Sequence, residues 1–588
     1  MGELKHLNKY FYKYRLNLIL GVIIVIIARI LLLFTPGLIR NSINVIDEYR
    51  KNIIIDQSIV EYELIQNIFL ILLAAVLSGF FTFLTRQTII NVSRFVEFDL
   101  KNEIYNQYQN LSINFYKRNQ TGDLMNRISE DVSRVRMYVG PAVMYSINTI
   151  TLLIIVIFYM YRQSPELTFY TICPLPILSI TIYKLSKLIN QRSTIVQESL
   201  SKLSSFSQEI FTGIQIVKSY TIQDKTSNSF NNLSSENKLN QIKLAKVQAL
   251  FFPLMILLIG LSNLLVIYVG GKQYLDGTIS SIGIIAEFII YVNMLTWPVA
   301  SLGWISSIIQ QAEASQKRIN EFLKEKSDIK NYKTNDTSEI KGEVVFNNVN
   351  YKYVETGIIA ANKISFKIKP IDTLGITGST GSGKSTLMNF ICRLYDIDSG
   401  EILIDKTPIK EINLKSLRSQ IGYVPQDTFL FSDTIMNNVK FGMKNATDDD
   451  VVAACKTAKI HKEILSFKKG YKTILGERGI NLSGGQKQRI SIARALIKQP
   501  KILILDDCLS AMDTETEKSI LKSLNRHTKD ITTIIVSHRI SSIKNTNNII
   551  VLENGRIIQE GNHDQLINQK GYYKHLYNKQ IIEKESIE

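Results

Sequence analysis

Apolar residues in the first 320 positions are gathered in long runs, whereas the remaining positions alternate short apolar segments with polar ones. A helix needs about 20 apolar residues to cross a bilayer, and six runs reach that length. They lie at about 16–35, 64–85, 140–161, 166–184, 248–270 and 279–304. The pattern predicts an all-α transmembrane domain at 1–323, a polar linker at 324–340 and a soluble α/β domain at 341–588.

Basic residues are divided unevenly among the connections between these runs. Seven Lys or Arg residues occur between positions 91 and 139, and nine occur between 184 and 247. The connections after the first, third and fifth runs together contain only five. Because loops rich in Lys and Arg stay in the cytosol, we expect both long connections and both termini to be cytosolic. The chain is then a multi-pass protein of the plasma membrane with its soluble domain in the cytosol.

The two long cytosolic connections are too long for irregular loops, and apolar residues recur in them at helical spacing, as at Leu100, Ile104 and Tyr108. Gly122 and Gly213 mark breaks in these patterns. We expect each connection to extend the membrane helices into the cytosol and to end in a short helix that touches the soluble domain.

Two charged residues, Arg29 and Glu287, lie inside predicted spans. A charge at the centre of a membrane helix costs at least about 2.5 kcal/mol, so such a residue usually faces water or a partner. Either these residues form a polar wall of a substrate cavity, or they belong to structural pairs or lie near an interface.

The net charge of +17 lies largely in the connections between apolar runs. Membrane topology and contact with lipid headgroups therefore explain it better than binding to nucleic acid does. The four cysteines have no CxxC or metal-binding spacing, and we expect them to be reduced structural thiols.

A glycine-rich segment of the soluble domain follows a predicted strand at 373–378 and precedes a helix that opens at Ser385. This is the context of a phosphate-binding loop, in which backbone N–H groups surround phosphate oxygens at a helix N-terminus. Lys384 is expected to contact the β- and γ-phosphates of ATP, and Ser385 to bind Mg²⁺. The nucleotide-binding residues predicted here are Gly378, Ser379, Thr380, Gly381, Ser382, Gly383, Lys384, Ser385 and Thr386.

Two further segments complete the chemistry of the soluble domain. The apolar run 501–506 reads as a buried strand that ends in Asp506, the usual Mg²⁺-supporting position of this fold. The segment Asn481–Arg489 places a Ser and two Gly at the start of a predicted helix, where their donors can face an anion. The phosphate loop of the same domain already has a full set of donors. The Ser and the two Gly are therefore free to bind the γ-phosphate held by a second copy of the domain.

Taken in order, these segments resemble the ATP-binding-cassette (ABC) ATPases, and the run Thr121–Val132 is similar to a first intracellular loop of ABC exporters. The resemblance implies that Tyr353 stacks on adenine, that Gln426 contacts Mg²⁺ and that His538 senses the γ-phosphate. Alone, Tyr353 would fit a packing role and His538 a surface or core position. The resemblance also implies an exporter-specific loop at Gly476–Gly479, a D-loop with Asp513, and a signature acting on the partner's nucleotide through Leu482, Ser483, Gly484, Gly485 and Gln486.

One position departs from the family pattern. Most active ABC ATPases have Glu after the Asp506 position as general base, and this chain has Asp507, whose carboxylate lies about one ångström farther back. A misplacement of that size costs about 100-fold in rate. An Asp at this position resembles the degenerate chain of heterodimeric bacterial ABC exporters, which has a weak catalytic site of its own but an intact signature for its partner. Some of these degenerate chains lack the histidine that corresponds to His538, whereas this chain retains it. The alternative is a slower homodimer in which Asp507 still acts as base.

We therefore expect a half-size ABC exporter that uses ATP and Mg²⁺, works as a dimer and moves hydrophobic or amphipathic compounds, such as drug-like molecules or lipids, outward. A second hypothesis is a regulatory subunit that binds ATP without hydrolysing it and lends its signature to a partner. A third, a soluble DNA-repair or chromosome-organising ATPase, leaves the six membrane spans unexplained.

Overall fold

The computed structural model describes residues 2–51, 53–54, 56–331, 339–476, 479, 481–527 and 530–585. These residues form two compact units. The N-terminal unit contains residues up to Asn110 and the segment Gln120–Glu325, and the C-terminal unit contains Leu111–Asn119 and the residues from Lys326 onward. The domain bounds given above stay a prediction, and residues 332–338 of the expected linker lie outside the described residues.

Helices make up the N-terminal unit. A 3-10 helix at Glu3–Leu7 opens it, and π-helical turns at Arg86–Ile90, Arg127–Asp131 and Tyr138–Ala142 join several of its helices. The α-helices are Asn8–Lys13, Arg15–Arg50, Gln57–Thr85, Asn91–Asn110, Thr121–Asn126, Val132–Met137, Val143–Gln163, Pro165–Ile172, Pro174–Thr212, Ile214–Ser219, Gln223–Ala249, Phe251–Leu275 and Gly283–Lys324.

Five helical segments of the described residues are long and apolar enough to cross a membrane, and they cover five of the six predicted spans. They are Arg15–Arg50, Gln57–Asn110, Thr121–Gln163, Gln223–Leu275 and Gly283–Lys324. The remaining predicted span, 166–184, is divided between two helices at Cys173. Pro174 begins the second of these helices, because a proline lacks the N–H that a helix interior requires and fits best at a helix start.

The charged residues predicted inside spans both have polar partners in the N-terminal unit. Glu287 is 2% exposed, and one of its carboxylate oxygens lies 3.1 Å from a guanidinium nitrogen of Arg40. The hydroxyl of Tyr291 donates to its other oxygen at 2.8 Å. Arg29 donates to the side-chain oxygen of Asn148 at 3.1 Å. For Glu287 this geometry favours the structural pair over an unpartnered wall of a substrate cavity.

The C-terminal unit is an α/β fold built on two sheets. Its strands are β1 (Val344–Lys352), β2 (Ile359–Ile368), β3 (Thr373–Gly378), β4 (Ser399–Ile404), β5 (Thr407–Pro408), β6 (Ile421–Val424), β7 (Ile502–Asp506), β8 (Thr532–Val536), β9 (Asn548–Glu553) and β10 (Arg556–Gly561). One sheet has the order β2-β1-β4-β5, in antiparallel pairs. The other has the order β10-β9-β3-β8-β7-β6 and is parallel except at β10.

Helices of the C-terminal unit surround these sheets, and apolar side chains on both sides of the parallel sheet are buried in two hydrophobic cores. Burial on both faces explains why β7 and β8 read as almost continuous apolar runs. The α-helices are Ile113–Arg118, Lys384–Ile391, Leu414–Ser419, Ile435–Lys440, Asp448–Thr457, His461–Ser466, Gly484–Leu496, Thr514–His527, Ile540–Ile543, His563–Asn568 and Tyr572–Glu585, with 3-10 turns at Ile409–Glu411 and Gly470–Lys472.

The segment Leu111–Asn119 is part of the C-terminal unit, although the residues on both sides of it belong to the N-terminal unit. Ile113 packs against the core formed by β1, β2 and their neighbours. Arg118 forms an ion pair with Glu355 at 2.6 Å, and Ser112 donates to Asp328 at 3.0 Å. The middle of the first long connection is therefore a short helix packed into the C-terminal unit. Its counterpart in the second connection, Ile214–Ser219, belongs to the N-terminal unit.

All four cysteines are free thiols, and three of them are buried. Burial raises the pKa of both Cys392 and Cys455 to about 12, so these thiols stay protonated at neutral pH. Their position agrees with the structural role expected from the sequence.

Candidate active site

Four neighbouring parallel strands end at one edge of the large sheet, and a predicted functional residue follows or ends each of them. β3 leads into the phosphate loop, β7 ends in Asp506, β6 is followed by Gln426, and β8 is followed by His538. Ligands of open α/β sheets bind outside the carboxyl ends of the strands. Sheet topology thus brings together residues that are separated by up to 160 positions in the sequence.

The phosphate loop has the backbone conformation that a glycine-rich loop allows. Gly381 and Gly383 have φ angles of +79° and +100°, in the left-handed region that side chains rarely adopt. Lys384 directs its ammonium back over the loop, where it donates to the carbonyl oxygens of Gly378 and Ser379 at 3.0 and 2.8 Å. The hydroxyl of Ser382 is buried without a hydrogen-bond partner among the described residues. An unsatisfied buried donor inside a loop of this shape fits a bound phosphate.

Ser385 and Asp506 form the oxygen pair predicted to hold Mg²⁺. The Ser385 hydroxyl donates to Asp506 Oδ1 at 3.1 Å, and the Tyr423 hydroxyl lies 3.5 Å from Asp506 Oδ2. Burial raises the pKa of Asp506, which the hydrogen bond from Ser385 partly offsets. A hydroxyl beside one carboxylate, with space for phosphate oxygens and water, matches the donor set that Mg²⁺ prefers in nucleotide sites.

Asp507 has a strained backbone and an incompletely bonded carboxylate. Its φ is +45°, a conformation that Asp tolerates better than most residues with a side chain. Gln426 Nε2 lies 3.5 Å from Oδ2, longer than an ordinary hydrogen bond. The other oxygen, Oδ1, is buried and has no partner among the described residues. The carboxylate can therefore accept one further donor.

His538 lies beside Asp507 at the same edge of the sheet. Burial lowers the pKa of His538, and the nearby charge of Lys384 lowers it further. Burial raises the pKa of Asp507, while His538 and Lys384 act in the opposite direction. A neutral imidazole close to a carboxylate provides one donor and one acceptor at neutral pH.

A cavity of about 290 Å³ joins these residues into one site. Its wall is formed by Tyr353, Ile358, Ala360, Thr380, Gly381, Ser382, Gly383, Lys384, Ser385, Thr386, Gln426, Asp506, Asp507, Val536 and His538. Nearly all residues predicted to bind nucleotide, to hold the metal or to act as base are therefore on one surface. The described signature residues and Asp513 are not part of that wall.

Tyr353 lies just after β1, and its ring is held by contacts that the sequence did not indicate. Its hydroxyl is 3.0 Å from the hydroxyl of Thr386 in the phosphate loop, and its ring meets Tyr351 edge-on with centroids 5.1 Å apart. The ammonium of Lys117, on the short helix Ile113–Arg118, lies 4.8 Å from the Tyr353 ring centroid and 5.0 Å from that of Tyr395. The sequence indicated Lys117 only as one of the basic residues between positions 91 and 139.

The signature segment opens the helix Gly484–Leu496. Ser483 caps this helix by accepting from the backbone N–H of Gln486, whose side chain accepts in return from the backbone N–H of Ser483. Glu463 anchors the same turn, since it accepts from Gln486 Nε2 at 3.2 Å and forms an ion pair with Arg489. The helix start is thus held by its own cap and by Glu463. No motif in the sequence indicated Glu463, which lies on a separate short helix.

The loop Ser510–Asp513 is held by the residue that follows the predicted switch histidine. Arg539 donates to the carbonyl oxygens of Ser510 and Met512 at 2.9 and 3.0 Å and to Glu517 at 2.8 Å. Asp513 caps the next helix by accepting from the backbone N–H of Thr516 at 2.8 Å. In the expected loop Gly476–Gly479, Glu477 and Arg478 lie outside the described residues.

Two family profiles match this chain. The profile described as ABC transporter transmembrane region matches residues 18–299, and the profile described as ABC transporter matches residues 361–510. The first corresponds to the long apolar helices, and the second includes the phosphate loop, the signature and Asp506.

Relatives of the same architecture match along most of their length. The multidrug resistance-like ATP-binding protein MdlA of Escherichia coli (strain K12) is 35% identical over 87% of this chain and 86% of its own length. The probable multidrug resistance ABC transporter ATP-binding/permease protein YheI of Bacillus subtilis (strain 168) is 32% identical over 98% of both chains. A bacterial Atm1-family ABC exporter, solved with ATP bound, has the same fold, with a TM-score of 0.80 at 23% identity over 96% of this chain and 99% of its own.

Proposed function

This chain belongs to the ABC transporter family, and from that premise we propose that it is one half of a dimeric exporter for hydrophobic or amphipathic compounds. As a member of the family it is an integral membrane ATPase that couples ATP to export. The observation that carries the proposal is the single cavity that gathers the phosphate loop, Asp506, Asp507, Gln426 and His538. Two of the relatives described above are named for multidrug resistance, which supports drug-like substrates.

In the proposed site the phosphate loop and Lys384 hold the triphosphate of ATP, and Tyr353 packs against the adenine ring. Ser385 and Asp506 would hold Mg²⁺, which would neutralise phosphate charge, and Gln426 lines the same cavity. Asp507 takes the proton of the attacking water through its unpartnered Oδ1, and His538 contacts the γ-phosphate side. Both termini and the ATPase unit lie in the cytosol, as the distribution of basic residues indicates.

The signature is proposed to serve a second chain. The described residues Leu482, Ser483, Gly484, Gly485 and Gln486 do not line the chain's own nucleotide cavity, and Ser483 stands with two glycines at a capped helix start suited to an anion. ATP held between two cassettes would then join them, and hydrolysis would release them, so that the membrane helices change state. The D-loop residue Asp513 belongs to the same proposed interface.

We favour a heterodimer with a non-identical partner chain. Asp507 has a shorter side chain than Glu, so its carboxylate lies about one ångström farther back than the carboxylate of a Glu base. A homodimer with slow turnover is the alternative. A regulatory subunit that binds ATP and only completes the partner's site differs from both, because it predicts nucleotide binding without hydrolysis at its own site.

Transport by membrane vesicles tests the proposal directly. Inside-out vesicles that contain the chain, alone and with any co-transcribed partner, are expected to accumulate a hydrophobic fluorescent dye when ATP is added. Lys384→Ala should abolish ATP-driven accumulation, because the loop loses the cation that contacts the phosphates. Lys341→Ala, at an exposed position outside the nucleotide cavity, is the matched control and should retain the wild-type rate. Accumulation that is equal with and without ATP would contradict the proposed function.

Lys117 is expected to affect ATP affinity through the ring of Tyr353. A cation over an aromatic face at an accessible site contributes about 0.5–1 kcal/mol, and the ring fixed in this way is the proposed platform for adenine. Lys117→Met should therefore weaken ATP binding about two- to fivefold, as measured by titration calorimetry on the purified protein.

Two controls separate this effect from loss of the short helix. Arg118→Met removes the neighbouring cation, which pairs with Glu355, and it should leave ATP affinity close to wild type. Inorganic tripolyphosphate has no adenine ring, so Lys117→Met should leave its binding affinity unchanged. If Lys117→Met weakened the binding of ATP and of tripolyphosphate equally, Lys117 would act on the phosphate loop and not on the ring of Tyr353 that packs against adenine.

A further inference from the structure

The C-terminal helix contacts the residue proposed to meet the γ-phosphate. Gln580 lies on the helix Tyr572–Glu585, and its side-chain amide contacts the backbone on both sides of Arg539. The amide nitrogen donates to the carbonyl oxygen of His538 at 2.7 Å, across 42 positions of sequence. The amide oxygen accepts from the backbone N–H of Ile540 at 2.9 Å. One side chain therefore clamps the segment that carries the histidine.

The backbone between the two contacts has the conformation that such a clamp requires. Arg539 has φ −93° and ψ +122°, so the chain is extended, and the C=O before this residue and the N–H after it point to the same side. The second contact also satisfies a helix end, because the first N–H groups of the helix Ile540–Ile543 have no partner within that helix. A primary amide has both the donor and the acceptor that this segment needs.

The hydrophobic core fixes the position of Gln580. Tyr573, Leu576, Tyr577 and Gln580 recur at the spacing of one helix face. Tyr573 is 0% exposed, and its hydroxyl lies 2.8 Å from a ring nitrogen of His563. Leu576 and Tyr577 pack against the same core. The face that holds the C-terminal helix on the core thus also presents the amide to the clamped segment.

The clamped backbone directs a side chain of the nucleotide cavity. The imidazole of His538 is part of the cavity wall, and the direction of the ring depends on the backbone from which it projects. A carbonyl group that loses its donor turns toward another one, because an unsatisfied polar group is costly. A displacement of about one ångström is enough to spoil a contact with a reacting group.

We propose that Gln580 is a positioning residue, which holds the backbone of His538 so that the imidazole meets the γ-phosphate of the bound nucleotide. The inference rests on the role proposed above for His538. Gln580 is not in the described wall of the nucleotide cavity, so it acts through the histidine. The C-terminal helix lies beyond residues 361–510, which the ABC transporter profile matches, and the proposal gives this helix a part in sensing the nucleotide.

A purely structural role for Gln580 is the alternative. The side chain would then only cap the helix Ile540–Ile543 and fasten the C-terminal helix. Its loss would lower stability and would affect nucleotides with two and three phosphates alike. A positioning role confines the loss to nucleotides that have a γ-phosphate. The ratio of the two affinities therefore separates the hypotheses.

The experiment is titration calorimetry on the purified full-length protein with Mg²⁺, using ADP and the non-hydrolysable ATP analogue AMP-PNP. Gln580→Met keeps the length of the side chain and removes both hydrogen bonds. We expect it to weaken AMP-PNP binding about three- to tenfold and to leave ADP binding unchanged. Equal weakening of both nucleotides, or an unchanged AMP-PNP affinity, would overturn the proposal. Gln569→Met is the matched control, since Gln569 is exposed and contacts Gln559, and it should bind both nucleotides like wild type.

Gln580→Glu tests the two halves of the clamp separately. An ionised carboxylate still accepts from the N–H of Ile540 but cannot donate to the carbonyl oxygen of His538. A positioning role predicts that Gln580→Glu weakens AMP-PNP binding as much as Gln580→Met does, whereas a cap alone predicts wild-type binding. Wild-type AMP-PNP affinity in Gln580→Glu would overturn the proposal, and this comparison decides the matter even if Gln580→Met does not fold.

A double-mutant cycle links the effect to the histidine. His538→Ala should weaken AMP-PNP binding about tenfold and leave ADP binding unchanged. In that background Gln580→Met should change the affinity ratio no further, because no imidazole is left to position, and an additive loss would overturn the proposal. An unchanged ratio in His538→Ala would refute the role of His538 and this inference together. A wild-type ratio in Gln580→Met beside a changed ratio in His538→Ala would refute the inference alone.

Discussion

Asp507→Glu is expected to raise ATP hydrolysis by the purified chain by up to about 100-fold. The longer side chain moves the carboxylate about one ångström toward the phosphate loop, and a displacement of that size is enough to change a rate by two orders of magnitude. The structure shows one further reason to expect a deficit at present: Gln426 Nε2 lies 3.5 Å from Oδ2, too far to hold the carboxylate firmly in place. The measurement is steady-state phosphate release at saturating ATP and Mg²⁺.

The backbone at this position opposes the substitution to a small extent. The φ of +45° suits Asp better than Glu, so a loss of some stability is expected together with the gain in rate. Asp507→Asn keeps the size and removes the base, and it should lower the residual rate. Fast turnover by the unmodified chain alone would refute both the heterodimer and the regulatory-subunit hypotheses, and a rate unchanged by Asp507→Glu would show that another step limits hydrolysis.

Arg40→Leu is expected to destabilise the N-terminal unit by about 3–5 kcal/mol, because it leaves the carboxylate of Glu287 buried without its cation. Glu287 is 2% exposed, and besides its ion pair with Arg40 it accepts a hydrogen bond from the hydroxyl of Tyr291. Thermal unfolding in detergent, followed by tryptophan fluorescence, measures the effect, since both tryptophans belong to this unit.

The double variant Arg40→Leu/Glu287→Leu is the decisive comparison. Replacing a whole buried pair by apolar residues is often neutral, so the double variant should recover most of the loss. Lys51→Leu breaks an exposed pair with Asp47 and should change the midpoint little. If the double variant is no more stable than Arg40→Leu, the pair is not the source of the effect, and a direct role of Arg40 must be sought.

Much of this protein follows from local pattern. Apolar runs of about 20 residues must become helices in a membrane, because the bilayer offers backbone groups no other partner. The glycines of the phosphate loop are required by the backbone itself, as the positive φ angles of Gly381 and Gly383 show. Ser483 at a helix start is equally local, since a cap needs only the next three residues. These features carry the fold class and the family.

The division of the fourth predicted span has a local cause that apolar content alone does not show. Apolar content favours one helix at 166–184, but Pro174 has no N–H to continue the preceding helix and begins a new one. The segment Leu111–Asn119 shows where local pattern fails: it reads as part of a membrane-domain connection, yet its contacts place it in the C-terminal unit.

The sequence by itself determined the membrane helices, the nucleotide-binding strand–loop–helix and the order of the motifs, because each depends on residues a few positions apart. Only the tertiary structure decided which distant residues meet. It gave Glu287 its partner Arg40 across 247 positions, placed Lys117 over Tyr353, and brought Gln580 to the backbone of His538. Such contacts depend on how helices and strands pack, and no spacing along the chain encodes them directly.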